Sequence, residues 1–303
     1  MLTVNIFAVL LLAAPSFGFF FDIFQSGSTE TNYTLPEPGI CGVSLSDRIL
    51  GGSKTALNAY PWAALLIAKP IIGKKVMYAC GGSLISDRFV LTAAHCFREM
   101  PIWIRVTKVR LGEWNIETEE DCDDSDVCAD KAIDVKIGSH VVHEDYDAQD
   151  IHNDVALIKL AQQVTFTEFI SPVCLPLVEE LISKPDSSRK FTVIGWGTTE
   201  TGQEQPGVYG SRYKLEVDLP GVDLEDCREN YPSALDSELC AGGEAGKDSC
   251  QGDSGGCLVA AETDGYWYQY GVVSWGYGCG TKGVPGVYAR VSSFTDWIQR
   301  NMK

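Results

Sequence analysis

Positive charge is in short supply in this chain. Its 303 residues carry 24 Lys and Arg against 41 Asp and Glu, a formal net charge of −17 at pH 7, with an isoelectric point near 4.6. Such a surface repels phosphate backbones and anionic lipid, so neither nucleic acid nor a membrane is expected as a partner. The same charge suits solubility in an extracellular fluid. Long helical periodicity is missing as well. From Trp62 onward the apolar residues come in short runs divided by turn residues, which predicts an all-β chain. Runs at 63–68, 77–85, 89–91, 106–111 and 155–160 read as one group of strands, and 191–196, 213–219, 256–261, 268–275 and 286–291 as another. Two short helices are expected, one on the surface at 224–229 and one closing the chain. Ser293 stands where it could cap the second, which carries Phe294, Trp297 and Ile298 on one face.

Basic residues are also absent from both flanks of the long apolar run at 1–21. Pro15 and Gly18 break that run, which argues against a membrane anchor. Ser16 and Gly18 are small at both positions a signal peptidase reads, so 1–18 is expected to be a signal peptide. Residues 19–48 are too short and polar to build a core and read as an irregular propeptide. It carries the sequon Asn32-Tyr33-Thr34, a glycosylation site in an exposed secreted segment. Eleven cysteines behind such a leader point to an oxidising compartment and to secretion.

The chemistry gathers in Asp248-Ser249-Cys250-Gln251-Gly252-Asp253-Ser254-Gly255-Gly256. Gly252 and Gly255 let the backbone turn tightly, so that the N–H groups of Gly252 and Ser254 can converge on one point. That point suits the negative oxygen of a tetrahedral acyl intermediate. Ser254 is then a candidate nucleophile, but a serine hydroxyl is inert without a base. Leu91-Thr92-Ala93-Ala94-His95-Cys96 offers His95 for that task, and His152-Asn153-Asp154 offers an acid to orient it.

These motifs, in the order His95, Asp154, Ser254, resemble the chymotrypsin-like serine proteases. The resemblance runs from about Arg48 to the C-terminus, and the catalytic roles of the three residues come with it. It implies two six-stranded antiparallel β-barrels with the site between them, a short C-terminal helix, and a protease domain over 49–303. It pairs Cys80 with Cys96, Cys227 with Cys240, Cys250 with Cys279, and Cys41 with Cys174 to hold the propeptide; Cys122 and Cys128 clip one surface loop. Arg48-Ile49-Leu50-Gly51-Gly52 resembles the family's activation site. A cut after Arg48 would free the Ile49 ammonium to pair with Asp253, otherwise a costly buried charge.

Asp248, six residues before Ser254, matches the pocket floor of trypsin-like members, and Ser249 beside it is the type that accepts both Lys and Arg. Gly276 and Gly286 match the pocket walls. Ser274-Trp275-Gly276 resembles the strand that pairs with substrate backbone, and Tyr231 a residue shaping the rim. Arg110-Leu111-Gly112-Glu113 resembles the start of the family's calcium loop, with Glu113 as a ligand. The stretch from 113 to 134 holds ten acids against Lys131 alone, which suits either calcium or a merely solvated acidic loop. Its Cys122–Cys128 insertion is similar to those of arthropod clip-domain proteases, although residues 19–48 lack the six cysteines of a clip domain. No cofactor is expected for catalysis. Expected partners are protein substrates, an upstream trypsin-like activating protease and protein inhibitors such as serpins. A cascade enzyme is favoured; a digestive trypsin is the alternative, though digestive members usually have shorter propeptides and no clipped acidic loop. A dead homologue acting as a binding cofactor stays open only through Cys257, which stands where the family usually has proline. That thiol is expected to be buried and inert, or else to bridge to another molecule.

Overall fold

The computed structural model describes residues 33–44, 53–73, 76–198, 210–250 and 252–303. The expected signal peptide at 1–18, the expected glycosylation site Asn32, and Arg48 and Ile49 of the expected activation site lie outside the described residues. Six antiparallel strands close the first barrel: β2 (Ala63–Pro70), β3 (Met77–Leu84), β4 (Phe89–Thr92), β5 (Ile104–Leu111), β6 (Ile133–Val142) and β7 (Ala156–Leu160), in the order β2-β3-β4-β7-β6-β5. The second is built from β8 (Lys190–Gly195), β9 (Leu215–Val222), β10 (Glu238–Gly242), β11 (Cys257–Ala261), β12 (Trp267–Trp275) and β13 (Pro285–Arg290), in the order β9-β10-β13-β12-β11-β8, with β8 pairing back to β9. A short β1 (Ser53–Lys54) joins its outside edge on β9.

Closure removes open edges, so every strand can bury its apolar face inward. Leu66, Leu84, Phe89, Leu91, Leu111, Leu157 and Ile158 fill the first barrel, and Phe191, Leu219, Leu258 and Tyr288 the second. Two of the twelve barrel strands escaped the sequence pattern. In β6 only Val135 is buried and Lys, Asp, Ser and His face outward, so its apolar signal is weak; β5 and β7 hold it by pairing. β10 is buried throughout, but its five residues include Glu238 and Gly242.

Helix α1 spans His95–Arg98, α2 Glu179–Ile182, α3 Leu224–Asn230 and α4 Thr295–Asn301. The expected Ser293 cap does not form. The chain enters α4 through a 3₁₀ turn at Val291–Phe294, the residue at the cap position is Phe294, and no side chain caps the helix. Burial of Phe294, Trp297 and Ile298 fixes the helix instead.

The barrels meet closely. Tyr60 and Trp62, just ahead of β2, pack on Trp267 of β12 with ring centroids 5.3 and 6.3 Å apart. Ser83 Oγ donates to Gln269 Oε1 across the seam at 2.5 Å. All five expected disulfides are present: Cys41–Cys174, Cys80–Cys96, Cys122–Cys128, Cys227–Cys240 and Cys250–Cys279. Cys41–Cys174 moors residues 33–44 to the second barrel, where Trp267 N–H donates to Gly42 O at 2.9 Å.

Candidate active site

The first barrel supplies two of the three expected residues. β4 ends at Thr92, Ala93 and Ala94 are fully buried, and His95 opens α1. Asp154 stands two residues ahead of β7 of the same sheet and is only 1% exposed. It grips His95 twice: Oδ1 accepts the His95 backbone N–H at 2.9 Å, and Oδ2 lies 2.7 Å from Nδ1. The ring can therefore turn its other nitrogen outward. Burial by itself lowers the His95 pKa, but the hydrogen bond and charge of Asp154, with Glu99 adding, outweigh it and hold the pKa above the ordinary histidine value. A third hydrogen bond reaches Asp154 from Ser274 Oγ, 2.5 Å from Oδ2.

The second barrel supplies Ser254 on a tight loop, with Gly252 at φ +103° and Gly255 at φ +77°. Only glycine takes such angles without strain. Space is equally short, since a Cβ on Gly255 would stand 2.3 Å from Thr92 Oγ1 and 2.8 Å from Gly81 O. The loop is thus seated on β3 and β4, the strands that lead to His95, and Gly81 N–H donates to Ser254 O at 2.8 Å. The Cys80–Cys96 bridge stands beside it, Cys96 Sγ lying 3.8 Å from Ser254 O. The N–H groups of Asp253, Gly255 and Gly256 are taken by Cys250, Val273 and Asp253 carbonyls. Among the described residues those of Gly252 and Ser254 have no such acceptor, as an oxyanion site needs.

Behind this loop lies a cavity of about 540 Å³ that Asp248 and Asp253 both line. Asp248 Oδ2 accepts Gly280 N–H at 3.2 Å, while Oδ1, though buried, has no partner among the described residues. Burial pushes this carboxyl up to about 6, against the backbone hydrogen bonds of Gly280 and Ser249. Gly286 and Gly276 stand over it. A Cβ on Gly286 would be 3.0 Å from Asp248 Oδ1, and one on Gly276 3.6 Å from Gly286 Cα. Ser249 Oγ pairs with Tyr288 Oη at 3.0 Å. Tyr231 packs on Trp275 at 4.9 Å and donates to Pro285 O at 2.8 Å. Asp253 accepts Gly197 N–H at 2.8 Å and Cys250 N–H at 3.0 Å. Burial pushes it, too, to about 6.

The family model described as Trypsin matches residues 49–298. This chain belongs to the trypsin family. It is 42% identical to the CLIP domain-containing serine protease HP8 of Bombyx mori, over 91% of this chain and 75% of that protein. It is 42% identical to phenoloxidase-activating factor 1 of Holotrichia diomphalia, over 88% and 73% respectively. The crystal structure of the Drosophila Grass clip serine protease of the Toll pathway superposes with a TM-score of 0.74 at 38% identity, over 86% of this chain and 74% of that one.

Two features of this trypsin-family chain were not evident from its motifs. Ser274 was expected only on the substrate strand, yet its hydroxyl touches Asp154, 120 residues earlier; no spacing rule reveals that. The acidic loop also gains a second buried acid. Glu113 is 2% and Asp121 7% exposed. Asp121 Oδ2 accepts the N–H groups of Trp114 and Asn115 at 3.1 and 3.0 Å, and Glu113 Oε2 pairs with Arg110 at 3.1 Å. Burial, then the Asp121 charge, push Glu113 above the usual carboxylate range despite Arg110. The loop is also pinned to the segment that follows the expected activation site, because Trp114 Nε1 donates to Thr55 O at 3.0 Å and Lys54 lies over the Trp114 ring.

Cys257 has no disulfide partner, is 1% exposed, and has its thiol pushed up to about 12 by burial. A thiolate is therefore scarce near neutral pH, and the group behaves as a small apolar side chain. Cys257→Ala should keep peptidase activity and lose about 1 kcal/mol of stability for the missing sulfur. Alkylation of the denatured, unreduced wild type should label one cysteine per chain. A disulfide-linked dimer on a non-reducing gel would overturn this.

Proposed function

We propose that this trypsin-family protease is a secreted zymogen that cuts protein chains after Arg and Lys through an acyl-enzyme, in an extracellular proteolytic cascade. The observation that carries the chemistry is the grip of Asp154 on His95 next to the seated Ser254 loop. His95 takes the Ser254 proton as the hydroxyl attacks the peptide carbonyl. Asp154 holds the imidazole tautomer and stabilises the imidazolium. The Gly252 and Ser254 N–H groups hold the oxyanion, each donor contributing about 3–4 kcal/mol. His95 then returns the proton to the departing amine, the C–N bond breaks, and water releases the acyl group by the same steps. Asp248 selects the side chain before that bond, because a buried carboxylate favours a long cation over an apolar group.

The cascade reading is supported by relatives named for phenoloxidase activation and for the Toll pathway, rather than for digestion. It entails an upstream trypsin-like activator cutting after Arg48 and inhibitors of the serpin kind, with Asn32 glycosylated in the propeptide. The decisive experiment is labelling with a fluorophosphonate probe before and after treatment with trypsin. Ser254 should be modified only after cleavage between Arg48 and Ile49. Absence of labelling in the cut protein would refute the reading.

Calcium is proposed for the loop that begins at Glu113. Two buried carboxylates on one loop, with burial and then the Asp121 charge pushing the Glu113 pKa up, fit an oxygen-seeking cation, and Glu113 and Asp121 would hold it, with a structural effect only. Millimolar calcium should raise Tm by about 3–6 °C over the chelated protein. Asp121→Asn should abolish that shift. An equal Tm with calcium and with chelator in the wild type would exclude the site.

A further inference from the structure

The backbone just ahead of Asp154 is held in an unfavourable shape. Ile151 has φ +56° and Asn153 φ +55°, so both neighbours of His152 lie in the left-handed region. Asparagine tolerates that region, but a β-branched isoleucine stays there only when its surroundings force it. The turn at 151–153 therefore needs outside support to keep its form, and Asp154 is the next residue.

Much of that support comes from the first barrel and the terminal helix. The turn lies in the loop that joins β6 to β7. His143 N–H donates to Val155 O at 3.0 Å across the base of the loop, and Asp147 N–H to His152 O at 3.1 Å. Asn153 Nδ2 donates to Asp145 O at 2.9 Å. Tyr146 Oη donates to Glu99 just past α1, and Trp297 Nε1 of α4 donates to Glu144. Among the described residues, one hydrogen bond joins the turn to the second barrel. His152 Nδ1 lies 3.1 Å from Glu238 Oε1.

Glu238 is a fixed point. It opens β10, and its Oε2 accepts Leu235 N–H at 2.8 Å. Arg290 donates to its carbonyl at 2.9 Å from β13, which pairs with β10 along its length. Cys240, two residues on, is bridged to Cys227. The side chains of His152 and Glu238 are only 14% and 3% exposed, so water competes little for the bond between them.

The pair sits where the two barrels must agree. His95 and Asp154 come from the first barrel, while Ser254 comes from the second. Asp154 already receives the Ser274 hydroxyl from β12. His152 adds a link to β10 two residues earlier. With both links in place Asp154 meets His95 at 2.9 and 2.7 Å from a position tied to the barrel that carries Ser254. Small displacements of a catalytic group slow a reaction steeply even where substrate binding is intact.

We propose that His152 and Glu238 are a positioning pair for the acyl transfer. Their hydrogen bond across the barrels holds the left-handed turn, and with it Asp154, in place against His95 and Ser274. This rests on the protease reading and deepens it. Both residues act through Asp154, so neither is itself catalytic.

The test uses the trypsin-activated full chain and two p-nitroanilides, acetyl-Arg and acetyl-Leu-Gly-Arg. His152→Leu removes the hydrogen bond at similar size, whereas His152→Asn keeps a donor where Nδ1 stands. His152→Leu should lower kcat on both substrates by about tenfold or more and leave KM within about twofold. His152→Asn should bring kcat back to within about threefold of the wild type. Benzamidine, which reads the Asp248 pocket, should inhibit both variants like the wild type. Added to His152→Leu, Glu238→Leu should slow the enzyme no further, because the bond is already gone. An unchanged kcat in His152→Leu would overturn the proposal, as would an Asn variant as slow as the Leu one. A fall confined to the longer substrate would refute it too, since the loop would then be touching residues ahead of Arg. Loss of benzamidine binding in either Leu variant would assign the pair to the stability of the second barrel instead, and a second equal fall on adding Glu238→Leu would show that the two residues act separately. If the activated wild type cuts neither substrate, the protease reading itself fails and takes the pair's role with it.

Discussion

Exchange of Asp248 for serine is expected to lower kcat/KM for arginine substrates by roughly 3–5 kcal/mol, a hundredfold to several thousandfold. The carboxylate is half-buried, one oxygen is held by Gly280 N–H, and the other has no partner among the described residues. An incoming guanidinium or ammonium would meet that free oxygen. With serine in its place the cation is buried without a counterion, which is the costly half of breaking a buried pair. The pH dependence carries a sign that checks the same point. Burial pushes Asp248 up to about 6 in the empty pocket, so below that pH the carboxyl is neutral and must lose its proton before a cation binds. The inhibition constant of benzamidine should therefore rise as pH falls through about 6, and that limb should be absent in Asp248→Ser. A peptide panel varied at the residue before the cut completes the test. Near wild-type cleavage after Arg by the variant would show that the specificity assignment is wrong.

Ser254, His95 and Asp154 could be picked out from the chain because each sits in a motif whose glycines and small residues serve local geometry. Gly255 has to be glycine for Ser254 to sit on β3 and β4, and that need is written in the neighbouring letters. Asp248, Gly276 and Gly286 were named through the family resemblance instead, and in the structure a Cβ on Gly286 would stand 3.0 Å from Asp248 Oδ1. Strands with a strong apolar pattern were legible as well. β6 was not, because its neighbours hold it by pairing and only Val135 reaches the core. Ser293 misled because a serine ahead of a helix resembles a cap, whereas burial of Phe294 decides how the chain enters. Contacts between distant segments leave no local mark at all. Ser274 on Asp154, Asp121 beside Glu113, and the joining of His152 to Glu238 all depend on how the barrels and loops close.

Loss of Asp253 is expected to disable the activated enzyme even though Asp253 touches no substrate. In the structure Asp253 is 9% exposed, and among the described residues its carboxylate is held only by the N–H groups of Gly197 and Cys250. Burial raises its pKa from 3.8 to about 6. A raised folded-state pKa means that the folded chain binds this proton more tightly than the unfolded one. Stability is then fully present below pH 3.8 and falls as pH climbs through about 6, a loss of about 3 kcal/mol by the usual conversion. An ammonium delivered by a cut after Arg48 would offset that loss and fix the loop that carries Ser254. Asp253→Asn should therefore be more stable than the uncut wild type at pH 7 but not at pH 3.5, as read by calorimetry. After cleavage it should show activity lower by about a hundredfold or more, the scale of a lost buried pair. The freed Ile49 amine, ordinarily near 7.7–8.0, would have its pKa raised by the carboxylate. Its pair is then complete at neutral pH and lost as pH climbs through the raised value, so the cut enzyme should lose activity reversibly at alkaline pH. Arg48→Gln should stay inert toward trypsin-like activators. Full activity in an Arg48→Gln protein shown by N-terminal sequencing to be uncut would sink the scheme, because no ammonium would then be present to meet Asp253.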